Sequence, residues 1–394
     1  MSGANTSAER HFPALAGLRG FAALWVLTYH AWVLAGPKAL SLTVPFLGTI
    51  YLHPLISIGW AGVQIFFVLS AFLLSLPIAN ATYETNLHGA NPRSFFAKRL
   101  VRVFPAYYAQ IVILLGVAAL MDQPTLAEGL QWVHLLTMNF MPKPLGDPSL
   151  ISINGVWWTL PVELSFYLIL PALGPLALGK GRWTTFLWLM IIMLVWRYCV
   201  IAFTQDDRNI SVLWFSQLPG SLDSFAIGIM CAYLFVTYQN SAAPLRNLVL
   251  KNAVPMISIA AFMIVTLIYW MDANYLVYRT NQFISYAWTP LFSACIAVFV
   301  FFSAAEQRTV NVLFGNRAMF YLGIVSYGVY LWHIPVAKWF GSTSFALQDD
   351  TYLFPYYLVI MVVGATSLAA ISWRLIEKPC IQSVRARLKE KGGS

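Results

Sequence analysis

Residues 55–79 read LISIGWAGVQIFFVLSAFLLSLPIA, a run of 25 residues that contains no charged side chain. A helix needs about 20 apolar residues to cross the roughly 30 Å of hydrocarbon in a bilayer. We therefore predict that this run is a transmembrane helix, which places the chain among integral membrane proteins.

The composition of the whole chain supports this prediction. Of the 394 residues, 59% are hydrophobic and 10% are charged, whereas soluble globular proteins have about 45–50% apolar and about 25% charged residues. Aromatic residues make up 15%, which is typical of helices anchored by Trp and Tyr at the headgroup level. The net charge of +9 comes from basic residues scattered among apolar runs, so nucleic acid is not a predicted partner.

Nine further runs satisfy the same length criterion. They cover residues 14–36, 105–121, 156–178, 184–204, 213–238, 252–271, 282–303, 319–340 and 352–376. Polar residues interrupt a shorter apolar stretch at 126–141, where we predict a partial or surface-lying helix. The predicted fold is therefore all-α, a polytopic membrane bundle of about ten transmembrane helices.

The distribution of Lys and Arg predicts the orientation of this bundle. If the N-terminus is inside, the connections on the inner side hold 17 basic residues and those on the outer side hold 4. Positive charge collects on the cytoplasmic side, so we expect both termini to be cytoplasmic in a multi-pass protein of the plasma membrane, the inner membrane in a bacterium. The predicted divisions are an N-terminal tail at 1–13, a transmembrane domain at 14–376 and a basic tail at 377–394.

The first predicted span carries two ionisable residues, Arg19 and His30. Eleven residues at 100° each bring both side chains to within about 20° of one another on the helix, about 16 Å apart along its axis. Arg19 alone could be a snorkelling cation, and His30 alone a hydrogen-bonded core histidine. Their shared face favours another interpretation, a cation near the cytoplasmic entrance that binds phosphate and a deeper base that activates a nucleophile.

Two other ionisable residues are predicted near the depth of His30. Glu163 lies about 10 Å inside the span at 156–178, where it either pairs with a structural cation or orients the histidine. We predict that Glu163 acts with His30 in catalysis. His333 falls at a similar depth, and we assign it, with Trp157 and Trp158, to substrate binding.

A basic cluster precedes the third span. Arg99 and Arg102 are three residues apart and so share a helical face, on which they can bind the same phosphates; the alternative is that they only enforce topology. Ser70 has no base at its predicted depth, which favours a packing or cofactor-lining role over a nucleophile. Tyr327 and Tyr330 are either core aromatics or residues that line the cofactor site.

Together these motifs resemble those of the acyltransferase type 3 family of membrane O-acyltransferases, over about residues 10–380. Ala71 stands where that family usually has Gly, and its methyl group could narrow a close backbone approach. The motifs that carry the resemblance are Arg19-x10-His30, Arg99-x-x-Arg102, Ser70-Ala71-Phe72-Leu73, the Trp-Thr-Leu-x-x-Glu-x-x-Phe-Tyr element around Glu163, Tyr327-x-x-Tyr330-x-x-His333 and Ile376-Glu377-Lys378-Pro379.

The resemblance implies a stand-alone acyltransferase that uses acyl coenzyme A, here predicted to be acetyl coenzyme A, and no metal. His30 looks like the catalytic histidine of the family, as a general base or through an acyl-histidine, and Arg99 and Arg102 look like ligands of coenzyme A. The implied acceptor is a hydroxyl of a sugar-containing molecule, and membrane lipids are the other predicted partners. A secondary transporter or flippase is the alternative, because intramembrane His, Glu and Arg also suit transport.

Overall fold

The computed structural model describes residues 12–44, 48–83, 92–121, 127–141, 145–204, 208–278, 282–343 and 353–392. Of these described residues, 83% are helical. Its helices are α1 (Pro13–Leu34), α2 (His53–Ser57), α3 (Gly62–Tyr83), α4 (Pro92–Leu120), α5 (Gln131–Leu136), α6 (Thr159–Leu178), α7 (Arg182–Thr204), α8 (Arg208–Phe215), α9 (Leu222–Gln239), α10 (Ala243–Lys251), α11 (Ala253–Ala273), α12 (Gln282–Ala304), α13 (Arg308–Phe314), α14 (Arg317–Gly341), α15 (Leu353–Ser372) and α16 (Lys378–Gly392).

Within the described residues, nine helices are long and apolar enough to cross a membrane. This confirms the predicted all-α, multi-pass fold. Helix α1 has 22 residues but is not among the nine, because Arg19, Tyr29 and His30 lower its mean hydropathy. Instead α1 packs against α3, α14 and α15, so the polar side chains of this span are surrounded by other helices. The orientation of the bundle stays a prediction.

Helices α1 and α14 pack in parallel and very close together. A Cβ atom added to Gly323 would lie 1.9 Å from the carbonyl oxygen of Ala16, and one added to Gly20 would lie 2.8 Å from the backbone nitrogen of Gly323. Small residues allow helices in a membrane to approach in this way. His30 and His333 each lie ten residues beyond these glycines, so the parallel packing brings the two histidines to the same level.

The predicted span at 213–238 is not a single helix. Helix α8 ends at Phe215, a 3₁₀ turn follows at Leu218–Ser221, and α9 begins at Leu222. Pro219 explains the break, since it has no N–H to continue the helical hydrogen bonds. The turn exposes backbone carbonyl groups to side chains from other helices.

The connections contain more structure than the all-α prediction included. Strands β1 (Ser41–Val44) and β2 (Gly48–Tyr51) form an antiparallel hairpin after α1, with Ser41 opposite Tyr51. The partial helix predicted within 126–141 corresponds to α5. Residues 1–11 of the predicted N-terminal tail lie outside the described residues.

The predicted C-terminal tail continues the last transmembrane helix. A π-helical turn at Trp373–Glu377 joins α15 directly to α16, which packs against α4. Glu377, at the predicted start of the tail, is only 2% exposed. The boundary at 376 and 377 therefore falls inside a continuous helix.

Candidate functional site

The contact between α1 and α14 places two histidines side by side. His30 Nδ1 lies 3.0 Å from the carbonyl oxygen of Val26 and 3.1 Å from His333 Nε2. His333 Nδ1 lies 3.2 Å from the carbonyl oxygen of Val329, and the side chain is fully buried. The sequence predicted a common depth for these residues but not this contact.

The hydrogen-bond partners assign the tautomers of both rings. A carbonyl oxygen can only accept, so the Nδ1 atom of each histidine carries the proton. His30 Nδ1–H then donates to both Val26 and His333 Nε2, which accepts. The arrangement leaves the lone pair of His30 on Nε2, the nitrogen that can take a proton from a substrate.

His30 lines a partly open space of about 490 Å³, here called the histidine cavity. This volume is within the range of about 300–1,000 Å³ that is usual for small-molecule sites. The wall combines aromatic rings with polar groups. Its residues include Tyr29, His30, Trp60, Val63, Gln64, Trp158, Arg197, Gln217, Asp223, Tyr278, Thr289 and Tyr330.

A second and smaller space, here called the arginine cavity, has a volume of about 50 Å³. It can hold only a few water molecules. Val63 and Tyr330 line both cavities and so form a common wall between them. The residues of the arginine cavity include Arg19, Val63, Phe66, Arg102, Glu163, Tyr167, Ser326, Tyr327 and Tyr330.

Positive charge is in excess around the arginine cavity. Arg19 lies within electrostatic range of Arg99, Arg102 and Glu163, and Arg102 lies within range of Glu377. Arg19, Arg102 and Glu163 line the cavity, and Arg99 and Glu377 lie within electrostatic range of them. These three guanidinium groups outnumber the two carboxyl groups even if both carboxyl groups are ionised. Guanidinium groups bind phosphate well because their donors form a planar fork.

Glu163 lies in the arginine cavity, among hydroxyl groups. Its Oε1 atom accepts hydrogen bonds from Ser70 Oγ at 3.1 Å and from the hydroxyl of Tyr167. The sequence estimate placed Ser70 and Glu163 at different depths, and this was wrong because α3 and α6 pack side by side with these residues level. Among the described hydrogen bonds of His30, the side-chain partner is His333, not Glu163.

Tyr327 and Tyr330 line the arginine cavity, as do Arg19 and Arg102 among the predicted cofactor residues. Tyr327 donates a hydrogen bond to the carbonyl oxygen of Val103 at 2.9 Å, and Tyr330 donates to that of Val156 at 3.4 Å. These bonds fix both rings against neighbouring helices. Ala71, next to Ser70, is completely buried, and its extra methyl group is accommodated against Gly228 of α9.

The two tryptophans that were predicted to bind substrate have different positions. Trp158 lines the histidine cavity. Trp157 is 0% exposed, donates from Nε1 to Gln110 Oε1 at 2.9 Å and packs between Tyr107 and Phe140. The structure thus places Trp158 where a ligand can touch it and Trp157 in the core.

Sequence reasoning missed an ion pair in the wall of the histidine cavity. Arg197 of α7 and Asp223 of α9 lie 3.0 Å apart and are almost completely buried. Arg197 also donates to the carbonyl oxygens of Gly220 and Ser285, and Asp223 accepts from Thr289. Both charges lie in predicted spans, where an ionisable residue is rare and marks a site or a structural pair. Here the pair ties α7, α9 and α12 together.

These features define a class of protein: a polytopic membrane bundle in which a histidine lines one cavity, next to a second cavity lined by arginines. The family model of the acyltransferase domain, type 3, matches residues 12–374. The chain therefore belongs to this family and is an acyltransferase, which confirms the prediction of an enzyme.

Three relatives illustrate the range of this family. The chain is 27% identical to ORF330 of Acidianus two-tailed virus, a protein provisionally named an acetyltransferase, over 87% of this chain and 88% of the relative. It is 26% identical to nodulation protein 10 of Rhizobium leguminosarum bv. viciae, over 93% and 92%. It is 22% identical to peptidoglycan O-acetyltransferase OatA of Listeria monocytogenes, over 94% of this chain and 56% of OatA.

The chain therefore spans about half the length of OatA. No solved structure matches it significantly.

Proposed function

We propose that this chain transfers an acetyl group from acetyl coenzyme A to a hydroxyl of a sugar-containing acceptor, such as a cell-envelope polysaccharide. The observation that carries the proposal is that His30, bonded through its Nδ1 atom, lines a ligand-sized cavity and lies on the same helix as Arg19, which lines the arginine cavity. The name of OatA, a peptidoglycan O-acetyltransferase, supports a polysaccharide acceptor.

In the proposed step, His30 acts as a general base. Nε2 takes the proton of the acceptor hydroxyl while its oxygen attacks the thioester carbonyl carbon. The carbon–sulfur bond then breaks, and the protonated His30 returns the proton to the leaving thiolate. The products are the acyl ester and free coenzyme A thiol, so atoms and charge balance.

His333 supports this step through its hydrogen bond to His30. When His30 gains a proton at Nε2, its Nδ1–H still donates to His333 Nε2 and to the carbonyl oxygen of Val26. Both acceptors stabilise the positive ring, and they keep it in one orientation. His333 is therefore proposed to act as a positioning residue, whereas the sequence analysis assigned it to substrate binding.

The arginines are proposed to bind the acyl donor. Arg19, Arg99 and Arg102 would bind the phosphates of coenzyme A, with Ser70, Tyr327 and Tyr330 along the path of the thioester arm. The arginine cavity is small, so donor binding must move side chains apart. Glu163 is proposed to hold Arg19 by charge and to be held itself by Ser70 and Tyr167.

The distance between Arg19 and His30 suits a donor whose phosphates bind at one residue and whose thioester reacts at the other. Arg19 and His30 are about 16 Å apart along α1, so phosphates at one end and the thioester at the other require an extended donor. Positive charge on the inner side predicts that the donor enters from the cytoplasm, with both termini on that side and the protein in the plasma membrane. No metal is part of this proposal.

The test compares purified wild type with His30→Ala in the presence of labelled acetyl coenzyme A and an envelope-glycan fraction. General base catalysis contributes about 10²–10⁴-fold, so thiol release and label transfer should fall by that factor. His134→Ala is the matched control, because His134 lies on α5 and lines neither cavity.

Undiminished transfer by His30→Ala would refute the proposed base. Uptake of a glycan into vesicles without thiol release would instead support transport or flipping.

A further inference from the structure

Two polar atoms in the wall of the histidine cavity are buried without a partner. They are the indole nitrogen of Trp60 and the amide oxygen of Gln64, and neither finds a hydrogen bond among the described residues. About 90% or more of buried polar groups in proteins are paired, so each exception calls for an explanation. Both residues line the histidine cavity, where a ligand could provide the missing partners.

The two groups lie close together and line the same cavity as His30. They are four residues apart in a continuous helical segment that begins at Gly59, so they occupy one face in successive turns. This segment is pressed against α1, since a Cβ atom on Gly59 would lie 2.6 Å from the carbonyl oxygen of Trp25. The pair and His30 thus belong to adjoining walls of one cavity.

The chemistry of the two groups is complementary. The indole N–H of Trp60 can only donate, and the amide oxygen of Gln64 can only accept. A pair of hydroxyl groups on neighbouring carbons satisfies both, because one oxygen can accept while the other hydroxyl donates. A single aliphatic hydroxyl at the reacting position would leave at least one group unpaired.

The cavity also indicates the charge of its ligand. Its ionic wall residues, Arg197 and Asp223, are bound to one another at 3.0 Å. The ring of Trp60 lies against Trp288, with centroids 5.3 Å apart, and offers an apolar face with a polar edge. These properties suit a neutral ring that carries hydroxyls at its rim.

We propose that Trp60 and Gln64 form a subsite that binds a pair of hydroxyls on a neutral sugar acceptor and so holds a further hydroxyl near His30 Nε2. This inference rests on the proposed function and adds the residues that bind the sugar acceptor. Trp60 and Gln64 are specificity residues here, distinct from the base.

The test measures the KM of two acceptors, methyl glucoside and hexanol, with acetyl coenzyme A as donor. Trp60→Phe keeps the ring but removes the N–H, and Gln64→Leu removes the amide. A neutral hydrogen bond contributes about 0.5–1.5 kcal/mol, so each variant should raise the KM for methyl glucoside by about 3- to 10-fold. The KM for hexanol and for the donor should not change.

Trp288→Phe is the matched control. Its indole N–H donates to the carbonyl oxygen of Leu267 at 2.8 Å, and the residue lies in the same aromatic cluster without lining the cavity. This change should lower the melting temperature and leave the KM for methyl glucoside unaltered. Thermal melting of all variants separates loss of binding from loss of fold.

Removal of single sugar hydroxyls sharpens the test. One of the monodeoxy methyl glucosides should be a poor acceptor for the wild type, because it lacks the hydroxyl that binds Gln64. The Gln64→Leu change should not lower the efficiency with this acceptor further.

An unchanged KM in both variants would overturn the subsite and indicate that ordered water satisfies the two groups. Acylation of hexanol but of no sugar by the wild type would also overturn it, while the acyltransferase itself would stand. Absence of thiol release with every acceptor would instead refute the proposed function.

Discussion

The close contact of α1 and α14 predicts that a single methyl group on Gly323 will impair catalysis. A Cβ atom there would lie 1.9 Å from the carbonyl oxygen of Ala16, whereas ordinary contacts begin at 3.4 Å. The backbone carbonyl cannot rotate away as a side chain would. The Gly323→Ala change must therefore separate the two helices by about 1.5 Å or tilt them.

The separation acts on the histidine pair, which lies ten residues further along both helices. If it reaches His30 and His333 undiminished, their nitrogen atoms move from 3.1 Å apart to more than about 4 Å, beyond the roughly 3.2 Å limit of such hydrogen bonds. A displacement of about 1 Å in a catalytic group can lower the rate about 10²-fold. Overpacking itself destabilises by about 1–3 kcal/mol.

The assay measures kcat from thiol release at saturating donor and acceptor, together with the melting temperature. Gly20→Ala introduces a milder clash, 2.8 Å from the backbone nitrogen of Gly323, and should give an intermediate loss. Gly116→Ala in α4 is the control, because nothing lies within 4 Å of the added atom. That change removes a helical glycine and should be neutral or stabilising.

A wild-type kcat in a folded Gly323→Ala protein would refute the reasoning. So would an equal loss in Gly323→Ala and Gly116→Ala, because the graded order of clashes would then have no role.

Two further predictions concern the histidine pair and the arginines that are proposed to bind the donor. His333→Ala should lower kcat about tenfold, the value of one lost hydrogen bond, without changing the KM of donor or acceptor. His333→Gln should recover part of the rate, because its amide oxygen can accept a hydrogen bond from His30. A change in acceptor KM alone would contradict the positioning role. Arg102→Ala should raise the donor KM by about tenfold or more, since hydrogen bonds to charged groups contribute about 1.5–3 kcal/mol. Arg246→Ala is the control, because Arg246 lies on α10 and outside both cavities. An equal effect of Arg102→Ala on the acceptor KM would argue against a phosphate-binding role.

Local properties of the chain were predictable from the sequence. A transmembrane helix depends on the length and polarity of one continuous segment, so the spans could be read directly. The shared face of Arg19 and His30 follows from helical periodicity within one segment. The break at Pro219 was missed, although proline gave a local signal for it.

Contacts between helices were not predictable in the same way. Lipid-facing and helix-facing positions are both apolar, so composition does not tell which helices are neighbours. Arg197 and Asp223 were each visible as charges in a span, but nothing in the sequence paired them. The depth estimate for Glu163 failed because depth in one helix does not fix its level relative to another.

The sequence by itself determined a membrane-embedded helical bundle and a histidine placed above an arginine on one helix, because both depend on the order of residues within a segment. Only the tertiary structure decided that His333 lies beside His30, that Glu163 belongs with Ser70, and that Trp60 and Gln64 face the same cavity. The physical reason is close packing. Glycines at positions 20 and 323 allow two helices about 300 residues apart in the chain to touch, and that contact sets the position of the side chains of one helix relative to those of the other.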